Sequence, residues 1–138
     1  FDGKILYAAI HRKNTPIKTA LLDQHVVAGI GNIYACEALF AACIDPRRKA
    51  CDVSTQKTDA LVDAIKDVLK RAIAAGGSSL KDFRQADGSL GYFQHGFRVY
   101  DREGEPCPRC AKGGKKKFLI HRITQAGRST FYCPACQK

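Results

Sequence analysis

Four cysteines stand late in the chain as two tight pairs, Cys107-Pro108-Arg109-Cys110 and Cys133-Pro134-Ala135-Cys136. A two-residue gap with a proline bends into a knuckle that turns both thiolates toward one point. Two such knuckles supply the closed tetrahedral set of four sulfurs that structural zinc takes. The 22 residues between the pairs slightly exceed the common ribbon spacing, so a small insertion in the connecting hairpin is expected. Two disulfides or four free thiols are the other readings of the same residues. Three further cysteines, Cys36, Cys43 and Cys51, are scattered singly, as in a reducing compartment, and this favours the metal. Four thiolates leave no open position for water, so the ion is expected to hold a fold together and do no chemistry.

With 138 residues the chain accommodates one medium domain, or a helical domain plus a small zinc-stapled one. Its 45% hydrophobic and 26% charged content is ordinary for a soluble globular protein. No apolar run reaches the length of a membrane span, and no signal peptide is visible. The absence of methionine and the start at Phe1 read as a processed product or a piece of a longer protein. The net charge of +10 is unevenly spread. Residues 1–97 carry 13 Lys/Arg against 10 Asp/Glu, whereas residues 98–138 carry 10 against 3. An excess of that size on a small zinc unit points to a polyanion, with nucleic acid the leading candidate. A solvated basic face kept for solubility is the blander reading.

Helices are expected to dominate up to residue 75. Ile5, Leu6, Ala9 and Ile10 form one apolar stripe in a helix over 1–13, whose start is read as uncapped. Asn14-Thr15-Pro16 breaks the chain, and Pro16 suits the first turn of a short helix through about Asp23. A glycine-punctuated turn, Val26 to Asn32, leads into a helix from Asn32 to roughly Cys43 that buries Ile33, Leu39 and Phe40. The strongest helix spans about 55–75, where Leu61, Ile65, Val68, Leu69, Ala72 and Ile73 recur at helical steps and Gly76-Gly77 ends the run. The polar, glycine-rich stretch 78–97 reads as a long ordered loop and a candidate recognition element. Near Phe97–Tyr100 an extended segment enters the zinc unit. There 117–124 and 129–132 read as hairpin strands turning at Gln125-Ala126-Gly127-Arg128.

Two positions outside the cysteines invite a chemical reading. In Gly29-Ile30-Gly31-Asn32 the glycines permit close approach of a ligand, and Asn32 sits where a helix N-terminus presents free N–H groups to a phosphate. An ordinary Asn cap after a glycine turn accounts for the same residues. Arg128, at the hairpin tip, is placed to grip a phosphate bidentately or reach toward a flipped-out nucleotide, or is simply a turn arginine. Lys115-Lys116-Lys117 reads as a solvated run adding nonspecific backbone attraction. His11, His25, His95 and His121 make no metal or triad spacing, Ser78-Ser79 lack a nucleophile motif, and no phosphate loop of the Walker kind occurs. No self-sufficient catalytic constellation can be assembled from these residues.

Taken together, the motifs resemble one family. In order they are Val-Ala-Gly-Ile-Gly-Asn-Ile-Tyr (27–34), Gly-Gly-Ser-Ser-Leu-Lys-Asp-Phe (76–83), Gly-Tyr-Phe (91–93), Val-Tyr (99–100), Gly-Glu-Pro-Cys-Pro-Arg-Cys (104–110) and Gly-Arg-Ser-Thr-Phe-Tyr-Cys-Pro-Ala-Cys-Gln (127–137). Across essentially all 138 residues this resembles the C-terminal half of bacterial formamidopyrimidine-DNA glycosylase. The resemblance implies a mainly α fold with a small β zinc finger. It consists of a helix–two-turn–helix DNA-binding domain over 1–97, with a base-capping loop at about 78–95, then a four-cysteine zinc finger over 98–138. It further implies a bifunctional glycosylase and AP lyase that removes oxidised purines such as 8-oxoguanine and formamidopyrimidines and nicks the strand. The implied partner is damaged double-stranded DNA, met by a monomer in the bacterial cytoplasm around the nucleoid.

In that family an N-terminal proline amine attacks the sugar, and it belongs, with a glutamate and a catalytic lysine, to a β-rich domain that this chain lacks. No turnover is therefore expected from this segment alone. By resemblance Asn32 and Gly31 clamp the phosphates flanking the lesion, and Arg128 grips the same region and donates a proton in the late elimination. Lys13 falls on a basic DNA-contact position, Lys18 on a lysine linked to handling the damaged base, and Tyr100 on a phosphate-contacting tyrosine. Cys107, Cys110, Cys133 and Cys136 fall on the ligands of one structural zinc. One departure is a longer segment around Gly113–Leu119. The competing readings are an endonuclease VIII-like enzyme for oxidised pyrimidines and a noncatalytic, zinc-dependent nucleic-acid-binding module.

Overall fold

A computed structural model describes residues 2–23, 25–26, 30–74, 97–112 and 118–138. The Gly76-Gly77 helix stop, the loop at 78–95, the Lys115–Lys117 run and Gly29 lie outside the described residues.

Helix α1 (Gly3–Ile10) is capped after all: the Asp2 side chain accepts the N–H of Ile5 at 3.0 Å. An aspartate just before the first apolar step is an ordinary cap, hidden in the sequence by Gly3. A Cβ on Gly3 would overlap the Asp59 carboxylate, so glycine lets the start of α1 lie close against a second helix. Leu6 and Ile10 are buried, but Ile5 is 56% exposed, so the inward stripe is narrower than the expected one. Short α2 (Ile17–Leu22) starts after Pro16, and its entry is pinned by Ile17 N–H to Arg48 O at 2.7 Å and Ala50 N–H to Thr15 O at 2.8 Å.

Helix α3 (Asn32–Ala41) is the axle of the molecule. Every residue from Ile33 to Phe40 is buried, as in a helix surrounded by protein on all sides. It stops two residues earlier than expected because Cys43 takes a left-handed conformation (φ 61°). Ile44 N–H then reaches Leu39 O at 3.0 Å and Cys43 N–H reaches Phe40 O at 3.1 Å, which is a Schellman ending without glycine. After a 3-10 turn, Ala50–Asp52, comes α4 (Thr55–Ala74), whose start is held by Ser54 Oγ accepting Lys57 N–H at 3.2 Å. Leu61, Ile65, Val68 and Ala72 are buried as expected, and Ile73 is not, at 76% exposure. Both α1 and α3 pack on α4.

The second unit begins as a curl rather than the expected extended segment at Phe97–Tyr100. The buried Glu37 carboxylate on α3 accepts three consecutive N–H groups, from Arg98 (2.7 Å), Val99 (2.9 Å) and Tyr100 (2.9 Å). Successive N–H groups of a strand point to opposite sides, so one carboxylate can gather three only if the chain bends around it. A short helix α5 (Pro108–Lys112) follows the first cysteine, then the hairpin strands β1 (His121–Gln125) and β2 (Arg128–Tyr132). They pair antiparallel from His121 with Tyr132 to Gln125 with Arg128. The turn is only Ala126-Gly127, both at positive φ (51° and 76°), as a two-residue hairpin turn matched to strand twist requires.

Among the described residues two apolar cores result. The larger gathers residues of α1 to α4, among them Leu6, Leu21, Leu39 and Leu61. The smaller sets Cys36 and Phe40 of α3 against Val99, Ile120, Phe131 and the cysteines. Helix α3 therefore serves both.

Candidate nucleic-acid interface and metal centre

The knuckles converge as their spacing requires. Sγ of Cys107, Cys110, Cys133 and Cys136 all lie within 4.8 Å of one another, with Cys107 to Cys136 and Cys110 to Cys133 each at 3.8 Å. A tetrahedron with zinc–sulfur bonds of about 2.3 Å has edges of about 3.8 Å, so the cluster fits one structural zinc. None of the four is joined in a disulfide. Burial, with neighbouring thiols adding to it, pushes Cys110 up to about 11 and Cys136 higher still. Burial also opposes ionisation of Cys133, but the N–H groups of Cys136 and Ala135 outweigh it and draw that thiol down. The divalent cation supplies the charge that lets four crowded thiols ionise together.

The cluster is bolted to α3. Arg109, inside the first knuckle, donates to Phe40 O at 2.7 Å and to Cys43 Sγ at 3.0 Å, and approaches Cys136 Sγ at 3.5 Å. Its guanidinium lies over the Phe40 ring, 4.2 Å from the centroid. Buried Gln137 accepts Cys133 N–H at 2.7 Å and donates to Ile44 O at 3.0 Å. Residue motifs gave no hint of Arg109 as an anchor. The lone acid in the apolar run of α3, Glu37, was the available signal for its clamp.

From this base the hairpin lies across α2 and the start of α3. Asn32 Nδ2 donates to Ser129 O at 3.0 Å, and the same carbonyl receives Lys18 Nζ at 3.3 Å. Lys18, fully buried, also donates to Thr130 Oγ1 at 2.7 Å. Asn32 Oδ1 is buried without a hydrogen-bond partner among the described residues. Burial raises the Tyr100 phenol, and the neighbouring Asn32 side chain offsets part of that rise. Tyr100 also packs edge-on against Phe131 of β2, with ring centroids 5.0 Å apart.

Of the residues singled out in the sequence, Asn32, Lys18, Tyr100 and Arg128 thus come together around one end of the hairpin. Arg128 is exposed, and its guanidinium makes no hydrogen bond or ion pair among the described residues. It lies near enough to Lys18 to add to the lowering of that ammonium, whose main cause is burial; the Cys36 thiol opposes it. Gly31 is exposed at the N-cap of α3, with φ −99° and no side chain capping the first turn. A Cβ there would meet no described atom, so the fold itself does not demand glycine. Lys13 sits in the turn after α1, and no side-chain hydrogen bond ties it to the cluster among the described residues. The arrangement offers a guanidinium and a phenol from the basic unit, and an amide and a helix N-terminus from the helices, a set suited to phosphate oxygens.

Comparison with known proteins agrees with this geometry. Residues 1–84 match the family model described as "Formamidopyrimidine-DNA glycosylase H2TH domain", and residues 119–138 match "Zinc finger found in FPG and IleRS". The chain is 59% identical over 138 residues to a formamidopyrimidine-DNA glycosylase of Ruegeria pomeroyi, covering all of this chain and 47% of the relative. A Rhodospirillum centenum relative is likewise 59% identical, with 48% of its length covered. Among solved structures, Lactococcus lactis Fpg bound to abasic-site DNA is similar at TM-score 0.83 and 38% identity, covering 100% of this chain and 48% of that one. The same enzyme with FAPY-dG DNA gives TM-score 0.83 at 37% identity, again over 100% and 48%. The chain spans about half the length of the curated relatives it matches.

Proposed function

This chain belongs to the formamidopyrimidine-DNA glycosylase family, and on that premise we propose that it is the DNA-gripping half of a base-excision glycosylase and AP lyase for oxidised purines. The observation that carries the reading is the docking of the hairpin tip, with Arg128 beside Asn32 and the N-terminus of α3, through the shared Ser129 carbonyl. Residues 1–97 then form the helical DNA-binding domain, with 78–95 as the loop over the extruded base, and residues 98–138 form the finger. Base release falls to a proline-bearing β-rich domain of the full-length enzyme, so this segment alone excises nothing.

In this scheme Arg128 presents its fork of donors to the phosphate next to the lesion, while the Asn32 amide and the α3 first-turn N–H groups hold the same strand. Tyr100 adds a hydroxyl donor, and Lys13 adds positive charge along the backbone. Lys18 holds the hairpin from beneath. The part of Arg128 in the elimination is hydrogen bonding through its fork of N–H donors. It neutralises charge on the departing phosphate oxygen. Zinc keeps the knuckles closed and thereby fixes where β2 ends, one residue before Cys133. The FAPY-dG complex of the L. lactis relative supports purine damage over the pyrimidine-lesion alternative. No helix among the described residues is long and apolar enough to cross a membrane. We place the full-length monomer in the bacterial cytoplasm, at the nucleoid.

The test is binding and nicking by the full-length protein on 8-oxoguanine, oxidised-pyrimidine, abasic and undamaged duplexes. Preference for the purine lesion, with strand cleavage, supports the reading. Binding without preference or cleavage would leave a plain nucleic-acid-binding module.

A further inference from the structure

We propose that Thr130 and Gln125 are positioning residues for Arg128, acting with Lys18 through one directed hydrogen-bond chain that sets the hairpin tip on the helices. The proposal rests on the DNA-gripping reading above. The direction follows from chemistry. A lysine ammonium only donates, so at 2.7 Å Thr130 Oγ1 must accept from Lys18. The single hydroxyl hydrogen of Thr130 is then committed to Gln125 Oε1, 2.8 Å away. That fixes the Gln125 amide, whose Nε2 donates to Pro46 O at 3.2 Å, in the loop after α3. Reversing the first link would set donor against donor at Lys18, and turning the Gln125 amide would set its Oε1 against the Pro46 carbonyl oxygen.

The chain spans the base of the two-residue turn that carries Arg128. Gln125 and Arg128 are the last paired residues of the hairpin, and Thr130 lies two residues beyond Arg128, buried. Between them Ser129 is held on all sides: its carbonyl by Lys18 and Asn32, its hydroxyl by Arg122 at 2.9 and 3.2 Å. The backbone on both sides of Arg128 is thus located by α2, α3 and the loop at Pro46, while the guanidinium has no hydrogen-bond partner among the described residues. A fully buried ammonium whose hydrogen-bond partners are a hydroxyl and a carbonyl is a costly way to glue a hairpin down. A well-packed apolar pair would hold it at least as firmly, but would leave its register and rotation less defined. Directional bonds are what an exposed arginine aimed at one phosphate needs.

The experiment is a double-mutant cycle in the full-length, zinc-loaded protein, read as Kd for an abasic-site duplex and an undamaged control. Thr130→Val keeps the shape and deletes both bonds of the hydroxyl, whereas Thr130→Ser keeps them. A positioning role predicts that Thr130→Val weakens abasic-site binding by about ten-fold and that Thr130→Ser stays within about two-fold of the parent. It also predicts less than about a two-fold effect of Thr130→Val once Arg128 is alanine. An equal loss from Thr130→Val in both backgrounds overturns the proposal and leaves Thr130 a structural residue. If Thr130→Val fails to fold or to hold zinc, Gln125→Ala, at the half-buried edge of the hairpin, is judged by the same criterion. A parent protein without preference for the abasic duplex would sink the gripping reading and this proposal with it. A parent that prefers it, with multiplicative losses, sinks the positioning role alone.

Discussion

At Arg128 the backbone is fixed and the side chain is not, which separates binding from stability. The guanidinium makes no hydrogen bond among the described residues, so Arg128→Ala is expected to leave the melting temperature within about 1 °C of the parent. Binding to an abasic-site duplex should fall by roughly ten-fold or more, since a charge-assisted bond to phosphate is worth about 1.5–3 kcal/mol. Arg128→Lys should recover only part of this, because a point charge lacks the bidentate fork. Anisotropy titrations and thermal melts on the same preparations check both. Glu37 is the opposite case, a buried residue central to the fold. Glu37→Gln replaces one carboxylate oxygen by an NH2 that faces N–H donors of residues 98–100. A loss of about 2–4 kcal/mol is expected in urea unfolding, with the zinc unit loosening first.

Among the elements, the hairpin and finger are expected to depend on the metal, and the helices of the larger core to stand without it. Chelation is expected to abolish the Cys107–Cys136 unit while α1, α3 and α4 keep their far-ultraviolet dichroism, since the larger core contains none of the zinc ligands. Exposure of Phe40 and Cys36 should then show as new reactivity of the Cys36 thiol toward a thiol reagent. Survival of hairpin signals without metal would contradict the assignment. The same division explains what could be read from residues alone. Cysteine spacing, the 3.6-residue repeat of α4 and the Ala126-Gly127 turn are local patterns, and they appear where expected. The Glu37 clamp joins positions 61 or more residues apart, and the Lys18 to Thr130 bond spans 112. No periodicity encodes such pairings. The apolar stripes of α1 and α4 likewise named Ile5 and Ile73 as inward, because a repeat shows a face and not how far its cover extends.

For the molecule as a whole, charge is the deciding property. With +10 overall, association with DNA is expected to follow counterion release, log Kd rising with log salt by about 0.9 per phosphate neutralised. Two substitutions at one site then behave differently. Arg128→Ala removes a cation and should lower both affinity and salt slope, the latter by about 0.9. Asn32→Ala removes a neutral donor that also holds Ser129, so affinity should fall while the slope stays within error of the parent. Zinc content measured on each variant keeps loss of the finger from imitating loss of a contact. Equal slopes for Arg128→Ala and the parent, at reduced affinity, would mean that the exposed guanidinium does not meet a phosphate. The grip would then lie elsewhere on the basic surface, with Lys13 and Arg122 the next cations to replace. A slope reduced by Asn32→Ala would instead mean that the amide's main task is to hold the hairpin, and that Arg128 leaves the phosphate when the hairpin shifts.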